Sequence, residues 1–368
     1  MNTKHTARFS IIAVVLLLGL VWSLSLAGRG EAQSGYPNPG ILATAGWLKA
    51  HAGDQGVVIV DVRGDKHYDG RIIPGAVRLP WTSFRYDDRA HNIAEKFSGL
   101  EAAQELLGRN GLGRADEIVL YDSVKSDGGA TASYVFWVLD VLGHPRKRIL
   151  EGGIDAWERA GHPLASEPKT LEPILYQAPT KEIQTHRLID ARWIFSRLGD
   201  PMYQIVDARS RSEYLGERGA KDLMGNPLLL GHIPTAVNVD YTSAWRDAET
   251  KLLKPYAELQ ELYRGLDPDR GVIVYCMSGR RSAFSYFVLR LMGIDHVITY
   301  EQSWMEWGNP ANFLPVETTE RRFAGGNLPG RAATRAAASA RTAAGRDAGE
   351  KSTAPSGTAS GGYVSCGG

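Results

Sequence analysis

Short apolar runs alternate with amphipathic segments along the first part of the chain, and they predict alternating strands and helices. Short apolar runs, typical of buried strands, occur at Val57–Val60 and within Glu117–Tyr121, after its first residue. The apolar segment from Ala130 to Leu142 predicts a helix, and Arg148–Glu151 predicts a closing strand. The pattern therefore predicts an α/β fold in which a parallel sheet carries helices on both faces.

The same order of segments occurs a second time. Four pairs match in sequence order: Val58–Arg63 with Gln204–Arg209, Gly70–Val77 with Gly231–Asn238, Leu120–Asp122 with Val274–Cys276, and Glu151–Trp157 with Glu301–Trp307. Four matches in one order indicate a duplication. We therefore expect a first domain at 41–164 and a second domain at 186–317. The segment 165–185, rich in Pro, Glu, Lys and Thr, is expected to link them.

The amino terminus has the layout of an export sequence. Lys4 and Arg8 precede an uncharged apolar run over 11–27, and small residues lead to a candidate cleavage point after Ala32. The run is also close to the minimum length of a membrane span, so residues 1–32 are either a signal peptide or a membrane anchor. Both alternatives predict an extracytoplasmic (periplasmic), secreted or anchored protein.

The carboxyl-terminal segment 318–368 consists mainly of Ala, Gly, Arg, Ser and Thr. It has no apolar face to bury, so we expect it to be disordered. It ends near Cys366, which would either exchange sulfur or form a disulfide with Cys276, or be an incidental exposed thiol.

Composition and charge exclude several classes of protein. The 368 residues include 42 Lys and Arg against 41 Asp and Glu, so the formal net charge of +1 gives no argument for nucleic-acid binding. Two cysteines cannot form a disulfide framework or a thiolate metal cluster, and the nine histidines show no metal-ligand spacing. We therefore expect no metal site.

The second domain contains a candidate nucleophile at a strand-to-helix junction. Cys276 follows the apolar run Val272–Val274, and helical spacing of apolar residues begins at Ser282. Gly279 allows the backbone to form an anion-binding nest at the helix amino terminus, and Arg280 and Arg281 add positive charge. Such surroundings favour the thiolate, which indicates a reactive cysteine that attracts anions; a buried structural cysteine is the alternative.

The loop itself resembles the active-site loop of the rhodaneses, or thiosulfate sulfurtransferases, in their Cys-x-x-Gly-x-Arg form; it reads Cys276-Met277-Ser278-Gly279-Arg280-Arg281-Ser282. Cysteine phosphatases place their arginine six positions after the cysteine, in a wider cradle, whereas Arg281 is at position five. The resemblance implies that Cys276 is catalytic, that residues 277–282 bind the substrate, and that no metal or organic cofactor is required.

Tandem rhodaneses have an inactive amino-terminal domain and an active carboxyl-terminal domain, and this chain resembles them. Asp122 occupies the cysteine position of the first domain, and an aspartate cannot carry a transferable sulfur. The resemblance also implies that Arg209 contacts the substrate; the alternative is an ion pair with Glu213. Asp61 and Arg63 of the first domain are expected to be scaffold residues.

The expected activity is transfer of the outer sulfur of thiosulfate, or a similar anionic donor, through a Cys276 persulfide to cyanide or a thiol. One alternative is a 3-mercaptopyruvate sulfurtransferase, although Met277 and Arg280-Arg281 replace the Gly and Val-Thr typical of that branch. The other is a non-catalytic extracytoplasmic carrier of persulfide or oxyanions.

Overall fold

Two parallel sheets form the framework of residues 35–323, the part of the chain that the computed structural model describes. The elements of the first domain are β1 (Leu42–Ala43), α1 (Ala45–His51), β2 (Val57–Asp61), β3 (Val77–Arg78), β4 (Arg85–Asp88), β5 (Ile93–Phe97), α2 (Leu100–Arg109), β6 (Glu117–Tyr121), α3 (Ala130–Val141), β7 (Lys147–Leu150) and α4 (Gly153–Arg159).

The second domain follows the same plan without named strands equivalent to β1, β4 and β5. Its elements are α5 (Ala191–Phe195), β8 (Tyr203–Asp207), α6 (Arg211–Tyr214), β9 (Val237–Asn238), α7 (Tyr256–Leu262), β10 (Gly271–Tyr275), α8 (Arg280–Leu291), β11 (Val297–Thr299) and α9 (Ser303–Trp307). Short 3₁₀ helices occur at Pro39–Ile41, Asp65–His67, Trp81–Phe84, Thr180–Glu182, Thr185–Arg187, Tyr241–Ala244 and Pro310–Asn312.

Strand order is equivalent in the two sheets. The first sheet runs β1–β7–β6–β2–β3 and the second β11–β10–β8–β9, with all strands parallel. The register is equivalent as well, since Asp61 lies opposite Tyr121 and Asp207 opposite Tyr275. The predicted tandem α/β fold is confirmed.

Alternation along the strands explains why both faces of each sheet carry helices. In β10, Val272 and Val274 face a core shared by the two domains, whereas Ile273 and Tyr275 face a separate core of the second domain. Successive strand residues point to opposite faces, so an uninterrupted apolar run requires cover on both sides.

Helices α3 and α8 join the two domains. Every residue of α3 is buried, and Phe136 of α3 packs edge-to-face against Phe287 of α8 with ring centroids 5.1 Å apart. A helix that is buried on all sides needs cover from several elements, and for α3 one side of that cover is α8 of the other domain.

Three local features differ from the sequence-based picture. Helix α8 begins at Arg280, two residues before the predicted start, because Gly279 already forms its amino-terminal cap. The β4–β5 hairpin was not predicted, since its residues are largely polar. The expected linker 165–185 lies along the first domain: Ala165 pairs with Ile72, and Tyr176 is buried in the shared core.

Among the described residues, no helix has the length and apolar character needed to cross a bilayer. The expected signal or anchor in residues 1–32 lies outside the described residues, as do Cys366 and all of the expected tail beyond residue 323.

Candidate active site

The thiol of Cys276 lies immediately after β10 and is 1% exposed. Its backbone amide donates to the Ser303 hydroxyl at 3.0 Å, and its carbonyl accepts from the Trp304 amide at 3.1 Å. The next carbonyl, of Met277, accepts from the Met305 amide at 3.0 Å. The start of α9 therefore fixes the first half of the loop.

Gly279 turns the loop into α8. Its φ of +90° belongs to the region that favours glycine, and an added Cβ would lie 2.7 Å from the Glu301 carbonyl oxygen. This turn directs the amides of Ser278 and Ser282 towards the Cys276 sulfur, where both form hydrogen bonds with it. The loop is thus an anion nest at a helix amino terminus.

Two opposing effects act on the thiol. Burial raises the pKa of Cys276, but the charge of Arg281 and the hydrogen bonds from Ser282 and Ser278 outweigh it, so the pKa lies below its ordinary value. The Ser282 hydroxyl also donates to the Gly279 carbonyl at 2.9 Å. Because that hydroxyl has only one proton, the backbone amides are the constant donors to the sulfur.

Arg281 is held by Glu213. Its two terminal nitrogens lie 2.8 and 2.9 Å from the two carboxylate oxygens, a bidentate geometry. Burial raises the pKa of Glu213, but hydrogen bonding to Arg281 prevails and brings it to about 2. Glu213 also forms a capping box with Ser210 at the start of α6. The cation beside the thiol therefore has a fixed, ionised partner.

The first domain supplies part of the site. The Ser278 hydroxyl donates to Glu95 at 2.8 Å, and Arg85 donates to the Ser278 carbonyl. Arg280 forms an ion pair with Asp127 at 2.7 Å and lies over the Trp81 ring. The β4–β5 hairpin and the loop before α3 thus border the active-site loop.

Arg209 is buried against its own strand. Its guanidinium and Asp207 are joined at 2.6, 3.0 and 3.1 Å, and it also donates to the Gly231 carbonyl at 2.7 Å. Arg63 and Asp61 of the first domain have the same three distances. This repetition favours a scaffold role, and the substrate contact of Arg209 stays a prediction. The alternative partner, Glu213, is paired with Arg281 instead.

Asp122 occupies the cysteine position of the first domain, where its own carboxylate fills the nest. It accepts from the Gly129 amide at 3.0 Å, the Thr131 hydroxyl at 2.7 Å and the Ala132 amide at 3.2 Å. Burial prevails over these bonds and raises the pKa of Asp122 to about 6. The first domain thus keeps the anion nest and supplies the anion itself.

Sequence reasoning missed most of the acidic and basic neighbours of the loop: Arg85, Glu95, Asp127 and Glu301, and the true partner of Glu213. Only Glu213 carried a local signal, the Ser210-x-x-Glu213 capping pattern. Within residues 35–323, no group of three or more His, Cys, Asp or Glu side chains is placed to hold a metal ion.

Known structures share this fold. An anaerobic ergothioneine biosynthesis enzyme from Chlorobium limicola superimposes with a TM-score of 0.63 at 21% identity, covering 77% of this chain and 71% of that one. The Tum1 protein of Saccharomyces cerevisiae does so with a TM-score of 0.61 at 22% identity, covering 72% and 94%. These likenesses show the fold: a tandem α/β protein, here with a buried cysteine in the strand-to-helix loop of its second domain.

Sequence comparison makes the assignment more specific. The model of the rhodanese-like domain matches residues 44–160 and 190–310. The thiosulfate sulfurtransferase of Corynebacterium glutamicum is 34% identical over 299 residues, covering 77% of this chain and 93% of that protein. The sulfur carrier protein TtuD of Thermus thermophilus is 32% identical over 285 residues, covering 75% and 96%. The chain belongs to the rhodanese family, with two rhodanese-like domains.

Proposed function

We propose that the chain is a thiosulfate sulfurtransferase in which Cys276 accepts the outer sulfur of thiosulfate, or of a similar anionic donor, and passes it to cyanide or a thiol. The observation that carries this proposal is the site of Cys276: a thiol of lowered pKa at the centre of an anion nest. Family membership and the name of the Corynebacterium relative support it.

The chemistry is a pair of displacements at sulfur. The Cys276 thiolate attacks the outer sulfur of thiosulfate; the new S–S bond forms as the bond to the sulfonate sulfur breaks, and the electron pair leaves with sulfite. Cyanide then attacks the terminal persulfide sulfur, which yields thiocyanate and returns the electron pair to the Cys276 thiolate. Both steps conserve charge, and a thiolate that is already ionised requires no general base.

The loop has a defined task in each step. The amides of Ser278 and Ser282 stabilise negative charge on the sulfur of Cys276, and a persulfide carries its charge one atom further along the same direction. Arg281, held by Glu213, adds a fixed cation. Thiosulfate and the sulfite that leaves are both dianions. The positive charge of Arg281 therefore stabilises the bound donor and the leaving group in similar measure.

A side-by-side assay tests the donor. We expect steady-state sulfite release from thiosulfate plus cyanide, with a higher kcat/KM than for pyruvate release from 3-mercaptopyruvate, because the loop carries Arg280 and Arg281. Equal or better turnover of mercaptopyruvate would overturn the choice of donor but leave the Cys276 persulfide in place.

A second candidate, a sulfur carrier, is favoured by one observation: the 32% identity with a protein named as a sulfur carrier. A carrier would take one sulfur per Cys276, visible as a mass increase of that peptide, and would show no steady-state turnover with cyanide. Continuous thiocyanate formation would exclude it.

We also propose that the protein acts outside the cytoplasm, on the basis of the apolar run over 11–27. Cell fractionation of the full chain, with mass spectrometry of its amino terminus, tests this proposal. A cytoplasmic protein with intact residues 1–32 would contradict it.

A further inference from the structure

Both arginines of the active-site loop are paired with carboxylates. Arg281 pairs with Glu213 at 2.8 Å within the second domain, and Arg280 pairs with Asp127 at 2.7 Å across the domain boundary. A paired guanidinium attracts a distant anion less than a free one, because the two opposite charges largely cancel beyond their separation. The approach to Cys276 is therefore less positive than its sequence indicates.

Asp127 belongs to an extension found only in the first domain. Gly129 follows Asp122 by seven positions, whereas the equivalent Gly279 follows Cys276 by three. The extra residues reach the second domain, where Lys251 Nζ donates to the Val124 carbonyl at 2.5 Å. This contact holds the Asp127 loop against the active domain.

Lys251 contacts the same loop at two further residues, Ser126 and Gly128. Gly128 lies so close to the Lys251 side chain that an added Cβ would meet its Cδ at 2.5 Å. Lys251 also donates to the Ser126 carbonyl at 3.4 Å. With Ser126 and Gly128 both fixed, the position of Asp127 between them is set by the tertiary structure.

Asp127, Arg280 and Arg281 all lie near the Tyr241 hydroxyl. Burial raises the pKa of Tyr241, and the charges of Asp127, Arg281 and Arg280 act on the same hydroxyl. Arg280 is the first residue of α8, next to Arg281 and to the nest that holds the sulfur. The charge state of the Arg280–Asp127 pair therefore acts beside the loop that holds Cys276.

We propose that Asp127 is a specificity-determining positioning residue. By pairing with Arg280 it lowers the positive charge beside the Cys276 loop, and so reduces the advantage of anionic over neutral sulfur compounds. The proposal rests on the proposed function and deepens it, because it gives the first domain a part in selecting the substrate.

Two alkylating reagents of different charge test the proposal. Iodoacetate is an anion and iodoacetamide is neutral, and both react with the thiolate, so the ratio of their rates at the Cys276 peptide reports local charge and not thiol pKa. In Asp127→Asn we expect this ratio to rise about threefold to tenfold at low salt, and the rise to shrink as salt is added. In Arg280→Gln, which leaves Asp127 unpaired, we expect the ratio to fall by a similar factor.

The matched control is the ion pair at the other end of α8. Arg290, in the last turn of α8, and Asp295, which follows the helix, are also 2.7 Å apart; Asp295→Asn therefore removes a carboxylate partner from an arginine of the same helix, on the order of 15 Å further from the loop. Its ratio should equal that of the wild type. Unchanged ratios in both Asp127→Asn and Arg280→Gln would overturn the proposal.

Thiosulfate kinetics supply the link to function. The kcat/KM for thiosulfate should rise in Asp127→Asn. Most of the change should be in KM, since charge beside the Cys276 loop acts on binding of the donor, before the chemical step. A wild-type protein without thiosulfate turnover would contradict the proposed function only, because alkylation needs nothing but the Cys276 thiol. An unchanged alkylation ratio beside normal turnover would contradict the role of Asp127 only.

Discussion

The Asp122 loop of the first domain and the Cys276 loop of the second domain are built on the same plan. Each follows a buried central strand and ends at a glycine of positive φ, +97° for Gly129 and +90° for Gly279, that caps a buried helix. In each loop, backbone amides converge on the polar end of one side chain. The groups they hold differ: a carboxylate in the first loop and a sulfur in the second.

This difference separates what the fold provides from what the residue provides. The nest is present in both domains, so it is a property of the strand–loop–helix junction. In the first domain it is occupied permanently by the Asp122 carboxylate, with the Thr131 hydroxyl at 2.7 Å in the place that Arg281 has in the second domain. Only the second domain combines the nest with an atom that can gain and lose a sulfur.

The largest effect should come from exchanging the nucleophile. Cys276→Ser should reduce sulfur transfer by about a thousandfold or more, because an alcohol in the same nest is not ionised at neutral pH. Asp122→Ala should change turnover by no more than about a few-fold. Sulfite release measures both, and thermal unfolding checks that each variant is folded. If Asp122→Ala abolished turnover and Cys276→Ser did not, the roles assigned to the two domains would be reversed.

The Asp122 carboxylate should make stability depend on pH. Its pKa is raised from 3.8 to about 6 by burial. Between these values the folded protein binds more protons than the unfolded chain, so the contribution of Asp122 is fully present below pH 4 and is lost as the pH rises through 6. Relative to Asp122→Asn, the wild-type free energy of unfolding should fall by about 2–3 kcal/mol from pH 4 to pH 7.

Urea denaturation of both proteins across that range measures this difference, and the other titrating groups cancel in the comparison. Parallel profiles of unfolding free energy against pH for the wild type and Asp122→Asn would contradict the raised pKa. They would show that the nest stabilises the ionised carboxylate as well as water does.

Removing the cation beside the sulfur should have a smaller effect. Arg281→Ala should lower kcat/KM for thiosulfate about ten- to a hundredfold, the equivalent of roughly 1.5–3 kcal/mol for one charge-assisted contact. The pKa of Cys276 should rise, because Arg281 lowers it and Glu213 is left unpaired beside it. Alkylation at neutral pH should therefore slow, and recover at higher pH.

The double variant Arg281→Ala/Glu213→Gln serves as the control, since it removes the cation without leaving an unpaired carboxylate. Its thiol pKa should lie between that of Arg281→Ala and that of the wild type. A wild-type alkylation profile in Arg281→Ala would mean that the backbone amides alone set the ionisation of the thiol.

The two capping glycines provide the finest comparison. Changing either glycine to alanine should lower the protein's free energy of unfolding by about 1–2 kcal/mol, because each position requires a positive φ. In Gly279→Ala the Cβ also meets a backbone carbonyl at 2.7 Å, whereas in Gly129→Ala it meets the Phe284 ring at 3.1 Å. Sulfite release should therefore fall several-fold only in Gly279→Ala. If sulfite release fell equally in Gly279→Ala and Gly129→Ala, the geometry of the Cys276 loop would not be what limits catalysis.

Local patterns in the sequence determine most of the fold and the centre of the site. The run Val272–Val274 predicts a buried strand, the match of Leu120–Asp122 with Val274–Cys276 is one of four that predict a duplicated domain, and Gly279 predicts the turn into a helix. Each of these signals acts over a few residues, through alternation, periodicity or a required φ, so they are visible without the tertiary structure. The position of Cys276 at a strand end followed from them.

The charges that surround Cys276 were decided by the tertiary structure. Ser278 meets Arg85 across 193 positions of sequence, and Arg281 meets Glu213 across 68. Arg280 reaches Asp127 because α3 packs against α8. This packing brings the Asp127 loop of the first domain next to the Cys276 loop of the second. Charge pairing depends on distances of a few ångströms in the folded chain, and no local pattern specifies these. The sequence therefore identifies the candidate nucleophile, while the docking of the two domains sets its electrostatic surroundings.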